Sequence, residues 1–550
     1  MSTLTIHDGN SARYDRQIRL WGDHGQHNLG KSDVAVIGSG AMSTETMKCL
    51  VLAGIRSFTV FDNEFVKEVD LGNNFFLEEG DLGRPRAEVV SRYLKELNPA
   101  VRGDYQQIHF DENTKFDVLE KFSIVIGCQL SAKVAVPLGE HLHKRNIPFI
   151  WALSLGLLGF LRICVGDHEV HNNHAENAPY DFRIWNPFPA LKEYADSIDL
   201  EAIDHEQHSH VPFLLLYVKA LPLWRQQQQN PDALPAGGSL KKSFINFLNE
   251  MRKPNEKGIL DEVNFQEAVD NIYRSFANSR LPHNIEKLFN DPRSNCHNLN
   301  MKNATAFWVY ITAIKVFYNE HGYLPLSGPL PDMTSDTQNY VRLVNIFKDQ
   351  AETEADWVLK KATQILIDAN LQFKVAELSF KDCREICKNV SSLDVITGGG
   401  ITEEEKGGMK PVIKRIWEEI QHGDRSDIVH PLAWLVLLKA RDRFTWSKNR
   451  APGTNGVPIQ LDSLDLADRV KNIFEETEDP ELIEKQNEII PQKMIKEICR
   501  YGTSELNVVS SILGGIVAQE AIKLCTQQYV PVDNTLVYDA HRQISVSIRL

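Results

Sequence analysis

The chain has 550 residues, 42% hydrophobic and 24% charged, which is enough for two or three units with sizeable cores. Its net charge of −14 is spread along the chain, which argues against broad nucleic-acid binding and against attraction to anionic membranes. Eight cysteines without a tight pairing pattern fit reduced thiols better than a disulfide framework, and residues 1–9 carry no apolar signal core.

Residues 14–22 read Tyr-Asp-Arg-Gln-Ile-Arg-Leu-Trp-Gly, just ahead of a regular alternation of strand and helix signals. Residues 34–38 form a short apolar strand, and 42–53 a helical run closed by Gly54. A second strand at 57–62 ends on Asp62, and Pro85 stands at a first helical position leading to Leu97. Strands at 123–127 and 148–153 flank a helix at 132–145. This alternation implies a mostly parallel sheet covered by helices. Residues 146–161 carry no charge, but Pro148, Gly156, Gly159 and the following Arg162 favour two buried strands joined by a glycine turn over a membrane span.

In that setting Gly38-Ser39-Gly40-Ala41-Met42-Ser43 is a degenerate phosphate loop. Gly38 suits the tight turn, and Gly40 lets backbone approach a phosphate at a helix N-terminus. The third glycine is replaced by Ser43, and Asp62 stands where an acid would bind a ribose hydroxyl. No acid occurs over 121–139, so Cys128-Gln129-Leu130-Ser131 follows the third apolar strand with no carboxylate for a magnesium ion.

Beyond Gly166 the pattern becomes helical, most clearly at 305–318, 351–367, 410–421 and 431–441. Loops are expected at 226–238, 398–400, 407–408 and 449–456, and the acidic run 475–484 reads as a linker or a solvated helix face. An apolar helix at 508–525 containing Gly514-Gly515 precedes strands at 535–538 and 544–548. His168, His171 and His174, and then His205, His208 and His210, lack the fixed register that a zinc site needs and read as solvated or capping side chains. Cys383 and Cys387 share one helix face as core thiols. No metal site is expected.

The Tyr14-Asp15-Arg16-Gln17 segment before a nucleotide-type fold resembles the ubiquitin-activating, ThiF-like family, which adenylates the C-terminus of ubiquitin-like proteins. The resemblance implies an α/β, Rossmann-like adenylation fold, here degenerate, with a large mainly helical insertion. It divides the chain into a first adenylation-type part at 1–166, an insertion at 167–484 and a closing part at 485–550. Active members carry an arginine and a lysine on the ATP phosphates and an aspartate on magnesium. Those places fall on Asn73, on Arg86 and within Cys128-Gln129-Leu130-Ser131. Active members of the ubiquitin type also form a thioester on a cysteine. Counted back from Phe188-Pro189, its place falls on Arg183-Ile184, and the nearest preceding cysteine, Cys164, ends a buried strand.

Further matches at 21–26, 72–77, 327–333 and 340–343 resemble the regulatory subunits of heterodimers that activate the ubiquitin-like modifier of cullins, the neddylation pathway. This implies that the catalytic subunit of such a neddylation-activating enzyme holds ATP, magnesium and the modifier. The present chain would bind no cofactor, its Gly38, Gly40, Asp62 and Arg86 being remnants. Arg16 would complete the partner's site in trans, or, with Arg19, form interface ion pairs. Pro331, Asp332, Met333 and Tyr340 would also contact the partner. The implied location is the cytoplasm or the nucleus. Two other readings stay open: an autonomous adenylating enzyme of the sulfur-carrier type, and a plain adaptor.

Overall fold

The computed structural model describes residues 9–174, 180–235, 237–276, 281–404, 406, 408–422 and 430–550. Residues 1–8, and two positions in the expected loops, Ala236 and Gly407, lie outside them. The described chain divides into two compact units, one of residues to Val170 together with Val395–Leu550, the other of His171–Asp394.

The first unit is built on one eight-stranded sheet. After a helix α1 (Gly9–Leu29) that breaks at Gly22, the chain runs through β1 (Asp33–Ile37), α2 (Ala41–Ala53), β2 (Ser57–Phe61), α3 (Arg86–Leu97), β3 (Arg102–Gln106), β4 (Ile124–Cys128), α4 (Ala132–His143), β5 (Phe149–Leu155) and β6 (Leu158–Cys164). Pro85 proves to be the residue before α3 rather than its first helical residue. Much later come α5 (Asn507–Thr526), β7 (Thr535–Asp539) and β8 (Ile544–Ile548). The strand order is β8-β7-β6-β5-β4-β1-β2-β3. Strands β3 to β5 in that row pair in parallel, with Val36 opposite Val60 on one side and Ile126 on the other. The β5–β6 turn at Gly156 reverses direction, and β6, β7 and β8 are antiparallel. The sheet is therefore parallel only on the side built from strand–helix–strand crossovers, because antiparallel neighbours can be joined by a tight turn.

One face of the sheet is covered by α2, α3 and α5, whose Met42, Leu50, Leu94, Val509, Leu513 and Val517 share a core with Val34, Phe58 and Ile124. Helix α5 is long and apolar enough to cross a membrane by length and composition, and half of that stretch is buried within the unit. Gly514 makes its approach to α2 close: a β-carbon there would come within 2.8 Å of the Glu45 Cβ and 3.2 Å of the Met42 carbonyl.

The other face carries helices that were expected to belong to the insertion. Leu432, Leu437, Phe444, Leu466, Ile473, Met494 and Ile498 lie in one core with Val125, Trp151 and Phe160 of the sheet. Return to the first unit thus comes at Val395, not at 485. The physical reason is that the helices Ala433–Lys448, Ile459–Glu475 and Gln492–Tyr501 bury their apolar faces on the sheet. The acidic run 475–484 is likewise no linker: Thr477 is buried, and Leu482 of the short helix Pro480–Glu484 enters the same core.

The second unit is helical, with Phe182, Leu191, Phe213, Tyr217, Trp224, Phe265 and Phe347 in its core. Its longest helix, Thr337–Asp368, starts fourteen residues before the expected 351 and is capped by Asp336, whose carboxylate accepts from the Asn339 N–H. The helix Ala306–His321 matches expectation closely. Cys383 and Cys387 are fully buried, as core thiols should be.

Candidate functional site

In an open α/β sheet a ligand crevice forms where neighbouring crossovers diverge at the carboxyl ends of the strands. Here that point lies between β1 and β4, and the loops after them open into a cleft of about 960 Å³. Its lining includes Gly38, Gly40, Asn73, Arg86, Cys128, Gln129 and Glu505, together with Arg441 and Trp446. The sequence pattern pointed to the first five places. Glu505, Arg441 and Trp446 have no motif that marks them.

The charged residues at the glycine turn, Asp62 and Arg86, are partnered within the protein. Gly38 makes the turn out of β1 at φ 95°. The Asp62 carboxylate accepts from the Ser39 N–H at 3.1 Å and from its hydroxyl. Arg86 spans two acids, with Nη2 2.8 Å from Asp62 Oδ2 and Nη1 2.8 Å from Asp70 Oδ1, while its Nε donates to Ser39 Oγ at 3.1 Å. Burial pushes the Asp62 carboxyl up, but the Arg86 charge and the donors from Ser39 and Glu64 outweigh it and hold the group below the usual carboxylate range. A guanidinium can bridge two carboxylates in this way where a lysine ammonium, a point charge, cannot match the geometry.

Asn73 donates from Nδ2 to the Glu505 carbonyl at 3.4 Å, and its own carbonyl accepts from Asn507 Nδ2 at 2.9 Å. Asn74, fully buried, holds the Ser39 carbonyl and the Thr44 hydroxyl. Cys128 is buried at the end of β4, and desolvation pushes its thiol up to about 12, so it stands as a neutral S–H. The next residue, Gln129, ties β4 to β5: its side chain donates to the Ser154 carbonyl at 2.7 Å and accepts from the Ser154 N–H at 3.1 Å. The N-terminus of α2 is taken by the protein itself, since the Met42 N–H donates to Glu505 Oε1 at 2.8 Å. At the glycine turn and the end of β4, where the resemblance implies phosphate and magnesium contacts, the residues do not fit a magnesium ion. Asp62 and Asp70 are already engaged by Arg86, and a neutral buried thiol is no ligand for a hard cation.

The Tyr-Asp-Arg-Gln segment lies on α1, away from this lining. Tyr14 is buried: its hydroxyl accepts from Asn98 Nδ2 at 2.9 Å and its ring lies on Gly54. Arg16 is exposed, with no hydrogen-bond or ionic partner among the described residues. Arg19 is exposed too, and pairs with Asp15 at 3.0 Å.

In the second unit Arg183 is only 1% exposed. It adopts φ 50°, reaches Glu354 Oε2 at 3.0 Å, Asp181 Oδ2 at 2.7 Å and the Leu324 carbonyl at 2.7 Å, and lies 3.9 Å from the centre of the Tyr323 ring. Arg183, counted from Phe188-Pro189 as the place of a thioester cysteine, is a buried strut. Tyr340 donates to the Pro331 carbonyl at 3.2 Å, and Met333 packs against the core of its unit. Of that predicted contact segment, Asp332 faces outward, as does neighbouring Val341.

Neither histidine group gathers three ligands among the described residues. His205 pairs with Asp261 at 3.2 Å, His208 is buried against Glu262, and His210 contacts the Glu206 carbonyl at 2.7 Å. The group that does bring three together is Asp117, Glu120 and His141, and there Arg145 already holds Glu120.

Comparison with known proteins gives a consistent family. The ThiF family profile matches residues 14–549. The chain is 35% identical over 545 residues to the NEDD8-activating enzyme E1 regulatory subunit of Caenorhabditis elegans, covering 98% of this chain and 99% of that protein. The Drosophila melanogaster protein of the same name is 35% identical over 98% of this chain and 97% of its own length. The Arabidopsis thaliana NEDD8-activating enzyme E1 regulatory subunit AXR1 is 30% identical, with 96% and 94% covered. Among solved structures, E. coli MccB with MccA shares 18% identity over 29% of this chain and 50% of that one, at a TM-score of 0.27.

Proposed function

The chain belongs to the ThiF family, and from that premise we propose that it is the regulatory subunit of a NEDD8-activating heterodimer, with no ATP or thioester chemistry of its own. The catalytic partner holds ATP, magnesium, the thioester cysteine and the tail of the ubiquitin-like modifier. This chain pairs with it in the cytoplasm or nucleus and completes its adenylation site.

The observation that carries this reading is the fate of Arg86. This cation, which touches Ser39 of the glycine turn, is locked between Asp62 and Asp70. Around it, Asn73 serves as a backbone clamp and Cys128 as a buried thiol. An autonomous adenylating enzyme would need these positions free to neutralise phosphate and hold a metal. The buried Arg183 strut supports the same division of labour for the second half-reaction, because nothing nucleophilic stands there.

Arg16 is the group this chain contributes. Tyr14 anchors α1 on the sheet's covering helix, and the exposed guanidinium two residues on has no competing partner among the described residues. Directed at the partner's ATP, it would stabilise charge developing on the phosphate as the modifier's carboxylate attacks. Pyrophosphate exchange tests the reading. Exchange that appears only when the catalytic subunit is added supports it, and robust exchange by the isolated full chain overturns it.

A further inference from the structure

Glu505 comes from a segment 463 residues away to occupy the place where this fold binds phosphate. The first amides of a helix have no partner within it, and together with the helix dipole they form an anion seat. In α2 that seat holds Glu505. Oε1 accepts from the Met42 N–H at 2.8 Å and from the Ser510 hydroxyl at 3.2 Å. Oε2 lies 3.1 Å from where a β-carbon on Gly40 would stand, so the carboxylate fills the space that the missing side chain leaves for a phosphate.

The carboxylate is held there from both sides. The Gly156 N–H donates to the Ser504 carbonyl at 2.8 Å, and Asn73 donates to the Glu505 carbonyl at 3.4 Å. The position where active members of the family place an arginine against ATP phosphate thus carries an asparagine that secures an acid instead. A local cap would be supplied by Ser, Thr, Asp or Asn next to the helix. Here Gly40 precedes α2 and offers no side chain, and a long acid arrives from the start of α5. Since Arg86, the cation beside the glycine turn, is neutralised by two carboxylates, a diphosphate arriving at the α2 N-terminus would meet the Glu505 charge there.

We propose that Glu505 is an internal surrogate for a nucleotide phosphate, an autoinhibitory contact that shuts this cleft and leaves the heterodimer with one nucleotide site. The proposal rests on the reading that this chain carries no ATP. It adds that lost ligands alone do not explain the silence of a cleft of about 960 Å³.

The test is titration of the full chain with inorganic pyrophosphate, followed by calorimetry and by hydrogen exchange at the α2 N-terminus, for wild type, E505A and E505Q. Saturable binding by E505A, at least tenfold tighter than wild type and protecting the amides of residues 41–43, supports the proposal. E505Q keeps an oxygen acceptor for Met42 while removing the charge, so it should show a smaller gain and carries the test if E505A fails to fold. Folded variants that bind no better than wild type overturn the plug and leave the nucleotide-free reading standing. Saturable binding by wild type overturns both.

Discussion

Tyr14 and Gly54 fit against each other so closely that a β-carbon on Gly54 would come within 2.6 Å of the tyrosine ring. Gly54 also closes α2 in the left-handed conformation, at φ 91°, which any other residue would adopt under strain. This contact and the hydrogen bond from Asn98 to the Tyr14 hydroxyl seat the start of α1, and with it Arg16. Gly54→Ala should cost about 1–3 kcal/mol by overpacking. A urea midpoint on the full chain measures this. Exchange by the heterodimer should fall as well, at a concentration where the complex stays assembled.

Arg16→Ala should slow adenylation by the heterodimer roughly 100-fold, the size expected for one lost donor to developing negative charge. Size-exclusion chromatography should find the complex intact. Unchanged exchange in an intact complex would reduce Arg16 to an interface residue.

Arg183→Met should destabilise the second unit by about 3–5 kcal/mol, because Glu354 would be left buried and unpaired. Arg183→Lys should recover little, since one ammonium cannot reach Asp181, Glu354 and the Leu324 carbonyl together. Denaturant melts of the three proteins decide this.

Glu505 gives a pH dependence. Burial pushes its carboxyl above the ordinary value, against the pull of the Met42 amide and Ser510. A carboxyl whose folded pKa exceeds its unfolded one binds its proton more tightly in the folded chain. Its contribution to stability therefore falls as pH rises from the unfolded value through the folded one. The stability of E505Q relative to wild type should accordingly grow as pH is raised from about 4.3 toward neutrality. A difference that shrinks over that range would show the seat favouring the charged form.

Thiol reagents should separate the cysteines. Cys296 is exposed and should react in the native chain, whereas Cys128, Cys383 and Cys387 are buried, with the Cys128 and Cys387 thiols pushed up, and should react only on unfolding. Cys128→Ala should leave exchange by the heterodimer unchanged.

What could be read ahead of the structure was local. The strand at Asp33–Ile37, its glycine turn and the helix beginning at Ala41 announce themselves because hydrophobic runs, Gly38 and Gly40 lie within ten residues. Losses are legible in the same way, as Asn73 and Cys128 each stand in a recognisable neighbourhood. Glu505 was not legible, because an acid ahead of a helix carries no mark of a partner 463 residues upstream. Nor could periodicity assign the helices at 433–501 to the sheet: an amphipathic helix states that it has a buried face, not which core receives it. For the same reason Arg183 read as a vacant catalytic place, while Glu354, its counter-ion, lay far along the chain.

The interleaving of the two units has a consequence for synthesis. The phosphate loop and the parallel strands leave the ribosome early, but α5 and Glu505 follow only after the 335 residues that separate Val170 from Glu505. At roughly 5–20 residues per second this delay lasts from about 20 s to more than a minute. Throughout it the face of α2 that meets Gly514 is uncovered and the α2 N-terminus lacks its carboxylate. The nascent first unit thus waits with apolar surface uncovered until its own distal segment arrives, and a chain cut short before that segment would hold six of the eight strands and an open anion seat.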